Sequence, residues 1–534
     1  MKKLLSLSNK TPGWLLVILL STAAFLPYLG SGSLWDRDET NYALVAKEML
    51  ASGNWSVPYR NGELFLHKPV FTYWFIAAAY KLFGVSEFSA RFFSAVFGVF
   101  TSLLVYRLGT IMFNRSAGLF GSLIFITSLM VAFIFRASLT DSYLVFFITA
   151  SLLFFRYAQK TGKWKYLYAT YGMMGLAVLV KGPIGALLPM GTIFIYLLVS
   201  KQLYLLKELK LIKGGLILLL VVTPWLSTIV QASEGKFWSE FILKHHVHRF
   251  LQPMEGHGGS FWYYLPVIIV GFFPWASFLP GSLFHLYRTD RDSFTFLICW
   301  SGLVFLFFSL GATKLPHYIL PLFPPLALLL GVYWNDWIGE PSRKRWEEKG
   351  FLLMVTIVTV LCLGTFLLYV YSYSMASYKF VVTMGLLNLV VIGGYWLLTQ
   401  NRNKASFSLL VTGMVIFYGV LAGYAVPQVE SSRIMVKIAK KAGQLAGQKD
   451  KLYAYGFFEP GLAFYSGQSI GRLSSPPELK LILNRPERFF VFIRKQDFDA
   501  IKGFKNLYKI VEGQGINEVK GEMHLLLLSN HSLS

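Results

Sequence analysis

Residues 34–74 read LWDRDETNYALVAKEMLASGNWSVPYRNGELFLHKPVFTYW. The stretch follows directly on a long apolar run, Trp14–Leu34, so charged and aromatic residues crowd the mouth of what reads as a membrane helix. Asp and Glu together number only 27 in 534 residues, yet Asp36, Asp38, Glu39, Glu48 and Glu63 all fall here. Ionisable groups at membrane depth are costly and call for a functional explanation.

The rest of the chain supports the membrane reading. Hydrophobic residues make up 55% and charged residues 14%, with a mean hydropathy of +0.52, which excludes an ordinary soluble globule. Aromatics at 17% suit Trp/Tyr belts at two interfaces. The net charge of +23 does not point to nucleic acid, because the basic residues lie in short loops between apolar runs. Cys299 and Cys362 both sit inside apolar runs, which argues against a disulfide framework. The basic start, MKKLLSLSNKTPGW, precedes an apolar run without a small-residue cleavage site and reads as a retained anchor.

A spanning helix needs about 20 mostly apolar residues. The candidate runs are 14–34, 92–112, 117–135, 140–157, 166–181, 183–200, 212–231, 262–284, 294–311, 316–335, 351–372, 380–399 and 406–427. The expected fold is therefore mostly α, a polytopic membrane protein with about thirteen transmembrane helices. Basic clusters recur in alternate loops, at Arg156–Lys165, Lys201–Lys213, Arg288–Arg291, Arg343–Lys349 and Arg402–Lys404. By the positive-inside rule those loops and the N-terminus are cytoplasmic. Loop 35–91, loop 232–261 and the tail then face outward. Residues 428–534 lose the long apolar runs and alternate short strand-like segments (KLYAYGF, RFFVFIRK, MHLLLLS) with helical patterns. The expected domains are a transmembrane region, 1–427, that includes loop 35–91, and a small periplasmic α/β domain, 428–534.

Within the first loop, Asp38 stands at an N-cap position, and Tyr42, Val45, Ala46, Met49 and Leu50 follow at helical spacing. Gly53 is placed to end that helix and Asn61-Gly62 to make a turn. Pro69 opens a second amphipathic segment, Val70–Phe83, and both segments read as interfacial helices. The local alternatives are a capping role for Asp38, a solvated cluster of Asp36, Arg37 and Asp38, and a snorkelling role for Lys68. Other outward turns carry KHHVHRF, with His245, His246, His248 and Arg249, and the turns Lys181-Gly182-Pro183 and Thr313–Tyr318. Arg249 suits an anion, because a guanidinium forks onto phosphate oxygens. Several cations converging from separate helices suggest a pocket for an anionic headgroup, with Asp141 as a local ion-pair partner.

DETNYALVAKEMLASGNW and HKPVFTYW resemble the first periplasmic loop of bacterial lipid A aminoarabinose transferases. These are C-type glycosyltransferases related to protein O-mannosyltransferases. The resemblance continues in order through LTDSYLVFF, LVKGPIGALLP, KHHVHRF with FWYYLPVIIVGFFPW, and KLPHYILPLFPPLALLL. It implies transfer of a sugar from undecaprenyl phosphate to lipid A or a related envelope glycolipid at the periplasmic face of the inner membrane. By matching motif it implies Asp38 as the catalytic acid position and Lys68, Arg249 and Lys314 as phosphate-handling cations. Tyr42, His246 and Tyr318 would line the site, while Asp141 and Lys181 belong to family motifs. The family commonly has Glu-Lys-Pro where this chain has His67-Lys68-Pro69. This departure raises a divalent metal ion as an option, with His67 and His246 as a partial site.

No nucleic acid and no obligate protein partner is expected, and membrane lipids surround the chain. No Gly-rich nucleotide-phosphate loop is present, which suits a lipid-linked donor. The runner-up is a polyprenyl-phosphate-dependent hexosyl or mannosyl transferase acting on a protein hydroxyl or another glycan. A transporter of lipid-linked sugars would show inverted repeats and a midplane site, whereas the polar groups here gather at one surface. The sequence leaves open the sugar, the acceptor, metal dependence, oligomeric state and the role of His67.

Overall fold

The computed structural model describes residues 12–339, 345–371, 378–430, 432–483, 485–499, 507–517 and 521–532. The basic N-terminal residues and Arg343-Lys344, both used to orient the chain, lie outside the described residues. The chain divides into two compact units. One comprises Met1–Leu29, Leu66–Thr72 and Arg91–Ala425; the other comprises Gly30–Phe65, Tyr73–Ala90 and Val426–Ser534. The tail part of the second unit begins at Val426, and most of the first loop, expected within the transmembrane region, clusters with it.

The first unit is helical, and each apolar run of the sequence contains helix. Among the described residues, eight helices are long and apolar enough to cross a membrane. Two further pairs, Arg115–Thr127 with Leu129–Phe135 and Phe261–Gly271 with Ala276–Thr289, are bent by 67° and 111° and bring the count to ten at most. The other three of the thirteen expected runs, at 14–34, 166–181 and 183–200, form the shorter helices Gly13–Phe25, Leu167–Lys181 and Ile184–Val199. At about 1.5 Å per residue each of these helices is shorter than a ~30 Å hydrocarbon core.

Burial sorts the spans. The apolar window of Thr140–Thr161 is 83% buried, whereas that of Leu211–Ala232 is 17% and that of Glu348–Val370 is 11%. The first is a central helix, and the other two present their apolar surface to lipid. A buried polar network lies within the bundle. Arg156, with its side chain 1% exposed, donates to Asp292 Oδ2 at 2.8 Å and to the Tyr196 hydroxyl at 2.8 Å. That network ties three helices together.

The second unit is built on a five-stranded sheet of order β4-β3-β5-β7-β6. The strands are β3 (Lys451–Tyr455), β4 (Ile470–Leu473), β5 (Phe489–Arg494), β6 (Tyr508–Asn517) and β7 (Gly521–Ser529). β4, β3 and β5 run parallel, and β7 and β6 continue antiparallel. Both faces are covered, which explains the unbroken apolar runs of β5 and β7. Phe490, Phe492, Leu525 and Leu527 pack under Met435, Ile438 and Leu462 on one face. Val491, Ile493, Leu526 and Leu528 pack with Leu479 and Ile482 on the other. Leu44, from the helix Glu39–Ser52 of the first loop, joins the first of these cores.

Polar contacts bind the loop to the sheet within this unit. A hairpin, β1 (Tyr59–Arg60) and β2 (Glu63–Leu64), turns on Asn61 and Gly62 at φ 55° and 76°, the signature of a type I′ turn. The Asn61 side chain donates to Ile470 O at 2.8 Å and accepts from Ile470 N at 2.7 Å, covering the edge strand β4. Helix Glu39–Ser52 ends at Gly53 in the left-handed region, φ 71°, as the sequence indicates.

Candidate functional site

Three separate sequence motifs meet in one cavity of the helical unit. KHHVHRF forms the end of a π-helix, Trp238–His248, and the start of Arg249–Leu251. Phe250 O and Arg249 O accept from Ala312 N at 2.7 Å and Thr313 N at 3.3 Å, which fixes Arg249 beside the Thr313–Tyr318 turn. Gly182 stands at φ 76°, and a Cβ there would meet His246 Nε2 at 2.7 Å. The Lys-Gly-Pro turn therefore requires glycine both for its backbone and for the imidazole lying on it.

The resulting cavity, of about 430 Å³, is lined by Lys68, Lys181, His245, His246, Arg249, Thr313 and Tyr318, with aliphatic and Phe side chains completing its wall. Its charge is positive but partly compensated. Lys181 pairs with the buried Asp141 at 2.7 Å and lies 4.5 Å from the centre of the Tyr318 ring. His317 lies 3.8 Å from the other Asp141 oxygen. Arg249 reaches Glu255 at 3.4 Å, and its Nε is buried without a hydrogen-bond partner among the described residues. A cavity lined by both apolar side chains and cations suits an amphiphile with an anionic head.

The histidines separate in role. His246 places Nδ1 2.7 Å from Phe241 O and Nε2 3.2 Å from Lys181 O, between its own helix and the Lys-Gly-Pro turn. Burial lowers its pKa, with Lys68 and Lys181 adding to the effect and the Phe241 carbonyl opposing it. The His67 ring lies on that of His245 with centroids 4.0 Å apart. Burial, with Lys68 and Arg249 nearby, pushes His245 down to about 3. His245 Nε2 is buried and has no hydrogen-bond partner among the described residues. His67 thus packs on His245. Among the described residues, no group of three or more His, Cys, Asp or Glu side chains is placed to hold a metal ion.

Lys314 is placed differently from Lys68 and Arg249. Its ammonium donates to Ser309 O and Gly311 O at 2.6 Å and to Phe308 O at 3.2 Å, closing the C-terminus of helix Arg291–Leu310. A cation there also meets the negative end of the helix dipole.

Asp38 and Tyr42 belong to the second unit. Asp38 is exposed at the N-cap of helix Glu39–Ser52, yet its side chain makes no capping hydrogen bond. The capping alternative is therefore not realised. Tyr42 is buried against Tyr73, with ring centroids 5.9 Å apart. The acids around Asp38 are not a solvated cluster either. Asp36 is 6% exposed and accepts from Thr40 Oγ1 at 3.1 Å and Gly461 N at 3.3 Å. Burial and the adjacent Glu459 push Asp36 up to about 7. Glu459 escaped the sequence reading because it lies in the tail, 422 residues from its partner Arg37, with no local motif around it.

The family model for dolichyl-phosphate-mannose-protein mannosyltransferase matches residues 67–227. The chain is 29% identical over 508 residues to the undecaprenyl phosphate-alpha-4-amino-4-deoxy-L-arabinose arabinosyl transferase of Yersinia pestis (strain Pestoides F), covering 92% of this chain and 90% of that one. It is 33% identical over 350 residues to the corresponding transferase 2 of Proteus mirabilis, covering 64% and 62%. Its structure is similar to that of ArnT from Cupriavidus metallidurans bound to undecaprenyl phosphate, with a TM-score of 0.84, 22% identity and coverage of 97% and 98%. The helical bundle, the α/β unit and the cation-lined cavity thus accompany a sequence match that covers 92% of the chain. The chain is a multi-pass membrane glycosyltransferase similar in sequence to the aminoarabinose transferases and linked by the family model to the protein mannosyltransferases.

Proposed function

We propose that the chain transfers 4-amino-4-deoxy-L-arabinose, or a closely related sugar, from undecaprenyl phosphate to a phosphate of lipid A or a related envelope glycolipid. The observation that carries this reading is the cavity bearing Lys68, Lys181 and Arg249 above an apolar wall. In the proposed reaction an acceptor oxygen bonds to the anomeric carbon as the carbon–oxygen bond to the carrier phosphate breaks. The electron pair stays on the departing phosphate oxygen, and the sugar carbon inverts. Fixed cations at that phosphate, Lys68 and Arg249, stabilise the developing charge without reorganisation.

Asp38 is the carboxylate of the reaction in this reading. A lipid A phosphate is already anionic and needs no base, so Asp38 would orient the reactants or stabilise positive charge on the sugar. A hydroxyl acceptor would instead make Asp38 the general base. Lys314 acts through the helix end that it closes and the turn that it holds. The reaction takes place on the periplasmic face of the inner membrane, with the N-terminus cytoplasmic and the tail periplasmic, as the basic loops favour.

The match to the mannosyltransferase family model favours one second reading, transfer from a polyprenyl phosphate to a protein hydroxyl. Mass spectrometry separates the two. Lipid A and membrane proteins are compared from cells that make the aminoarabinose carrier lipid, with and without the chain expressed. A lipid A species heavier by one aminopentosyl group is expected. Unaltered lipid A alongside newly glycosylated protein would replace the proposal with the second reading.

A further inference from the structure

The turn before helix Glu39–Ser52 is braced from several directions within the second unit. Asp38 N donates to Asp36 O at 3.0 Å across Arg37, whose φ is 67°. A three-residue turn with a positive central φ is the rarer and more strained kind of γ-turn. Such a conformation persists only where its surroundings over-determine it, and it is a reason to look for function. Glu39 Oε2 accepts from Trp35 N at 2.9 Å, and the Asn41 side chain donates to Arg37 O.

The remaining brace comes from the tail. Glu459 receives Arg37 Nε at 3.2 Å and Arg37 Nη2 at 3.4 Å, one guanidinium on both carboxylate oxygens. Its side chain is 1% exposed, whereas that of Arg37 is 44% exposed. Glu459 occupies the N-cap of helix Pro460–Ser466 but makes no side-chain capping bond there. Among the described residues its ion-pair partner is Arg37. A buried carboxylate retained next to a second buried carboxylate, Asp36, raises the cost of burying both, which a purely structural contact would avoid.

We propose that Glu459 is a positioning residue for Asp38. By holding the Arg37 guanidinium it fixes the Asp36-Arg37-Asp38 turn and so aims the Asp38 carboxylate. This inference rests on the reading of Asp38 as the reaction's carboxylate. It makes the tail unit part of the catalytic apparatus, because the residue that sets the turn is supplied by the chain's last fifth. Asp36 belongs to the same brace: its oxygen is tied to Thr40 and to Gly461, two residues beyond Glu459.

The experiment uses the full chain in proteoliposomes with a polyprenyl-phosphate sugar donor and measures kcat, donor KM and melting temperature. Glu459→Gln and Arg37→Gln should each lower kcat by about 10- to 100-fold, the scale of a catalytic group displaced by about an ångström. Donor KM should hold, and the double variant should be no worse than either single one, because both remove the same contact. Partial recovery of kcat in the reversed pair, Arg37→Glu with Glu459→Arg, would support the proposal further.

Full kcat in Glu459→Gln would overturn it. So would losses that multiply in the double variant, or a loss that appears as a higher KM with a lower melting temperature. If Glu459→Gln does not fold, the exposed Arg37→Gln decides by the same criteria. Asp38→Asn, measured alongside, separates the two layers. If it is fully active, the reading of Asp38 falls; if it is inactive while Glu459→Gln is normal, only the positioning role falls.

Discussion

Replacing Asp36 by Asn should stabilise the second unit in a way that depends on pH. The side chain is 6% exposed, and its pKa is pushed from 3.8 to about 7 by burial first and by Glu459 second. A carboxyl with a raised folded-state pKa contributes most stability below its unfolded pKa and loses that contribution as pH rises through the folded value. Unfolding should therefore become easier between about pH 4 and pH 7. At about 1.4 kcal/mol per pKa unit, the difference amounts to roughly 4 kcal/mol at pH 8.

Asn keeps the oxygen that accepts from Thr40 and Gly461, and its amide can donate toward Glu459. The variant should therefore avoid most of that penalty. At about 2–4 °C per kcal/mol for a unit of this size, Asp36→Asn should melt several degrees above the parent at pH 8. The gap should close as pH falls toward 4. The assay is thermal unfolding of the detergent-solubilised chain from pH 4.5 to 8.5. Parallel curves for the two proteins would refute the buried-carboxylate argument, and a variant less stable at pH 8 would show that Asp36 is held ionised by groups stronger than burial.

Lys68→Ala and Arg249→Ala should each weaken binding of a polyprenyl-phosphate analogue by about tenfold or more, since hydrogen bonds to charged groups contribute about 1.5–3 kcal/mol. Lys314→Met should instead lower the melting temperature, because three carbonyls at 2.6–3.2 Å lose their donor. Calorimetric titration beside thermal unfolding tells these outcomes apart, and unchanged binding in the Lys68/Arg249 double variant would refute the phosphate assignment. Lys181→Met should cost about 3–5 kcal/mol by leaving Asp141 buried without its partner, and Lys181→Met with Asp141→Leu should recover much of that loss. Equal melting temperatures for the single and double variants would count against the pair as a buried unit.

The sequence made visible what is local. Helical runs follow from apolar length, the stop at Gly53 and the turn at Asn61-Gly62 follow from backbone chemistry, and the α/β tail follows from short apolar segments between turn residues. Hydropathy measures apolarity, so it does not show which runs are short or bent. Phe261–Thr289 shows the bending: it is apolar enough to span yet turns by 111° at its break. Motif residues also say nothing of direction. Lys314 and Lys68 both read as cations at an outer turn, but one ammonium closes a helix end while the other lines a cavity. The pairing of Arg37 with Glu459 was invisible for a different reason, as an ion pair across 422 residues has no period or spacing.

The stretch 34–74 turns out to serve two units. Residues through Phe65 cluster with the tail, whereas Leu66–Thr72, with His67 and Lys68, cluster with the helical bundle. The two kinds of chemistry read from that stretch are therefore held by different means. Lys68 shares a cavity wall with Lys181 and Arg249, where apolar neighbours exclude water and fixed charges act strongly. Asp38 sits on a strained turn whose geometry depends on Arg37 and Glu459. Substitutions in the first group should change donor affinity, and substitutions in the second should change turnover. A kcat–KM split that follows this division would tie the separation of the two units to the chemistry itself.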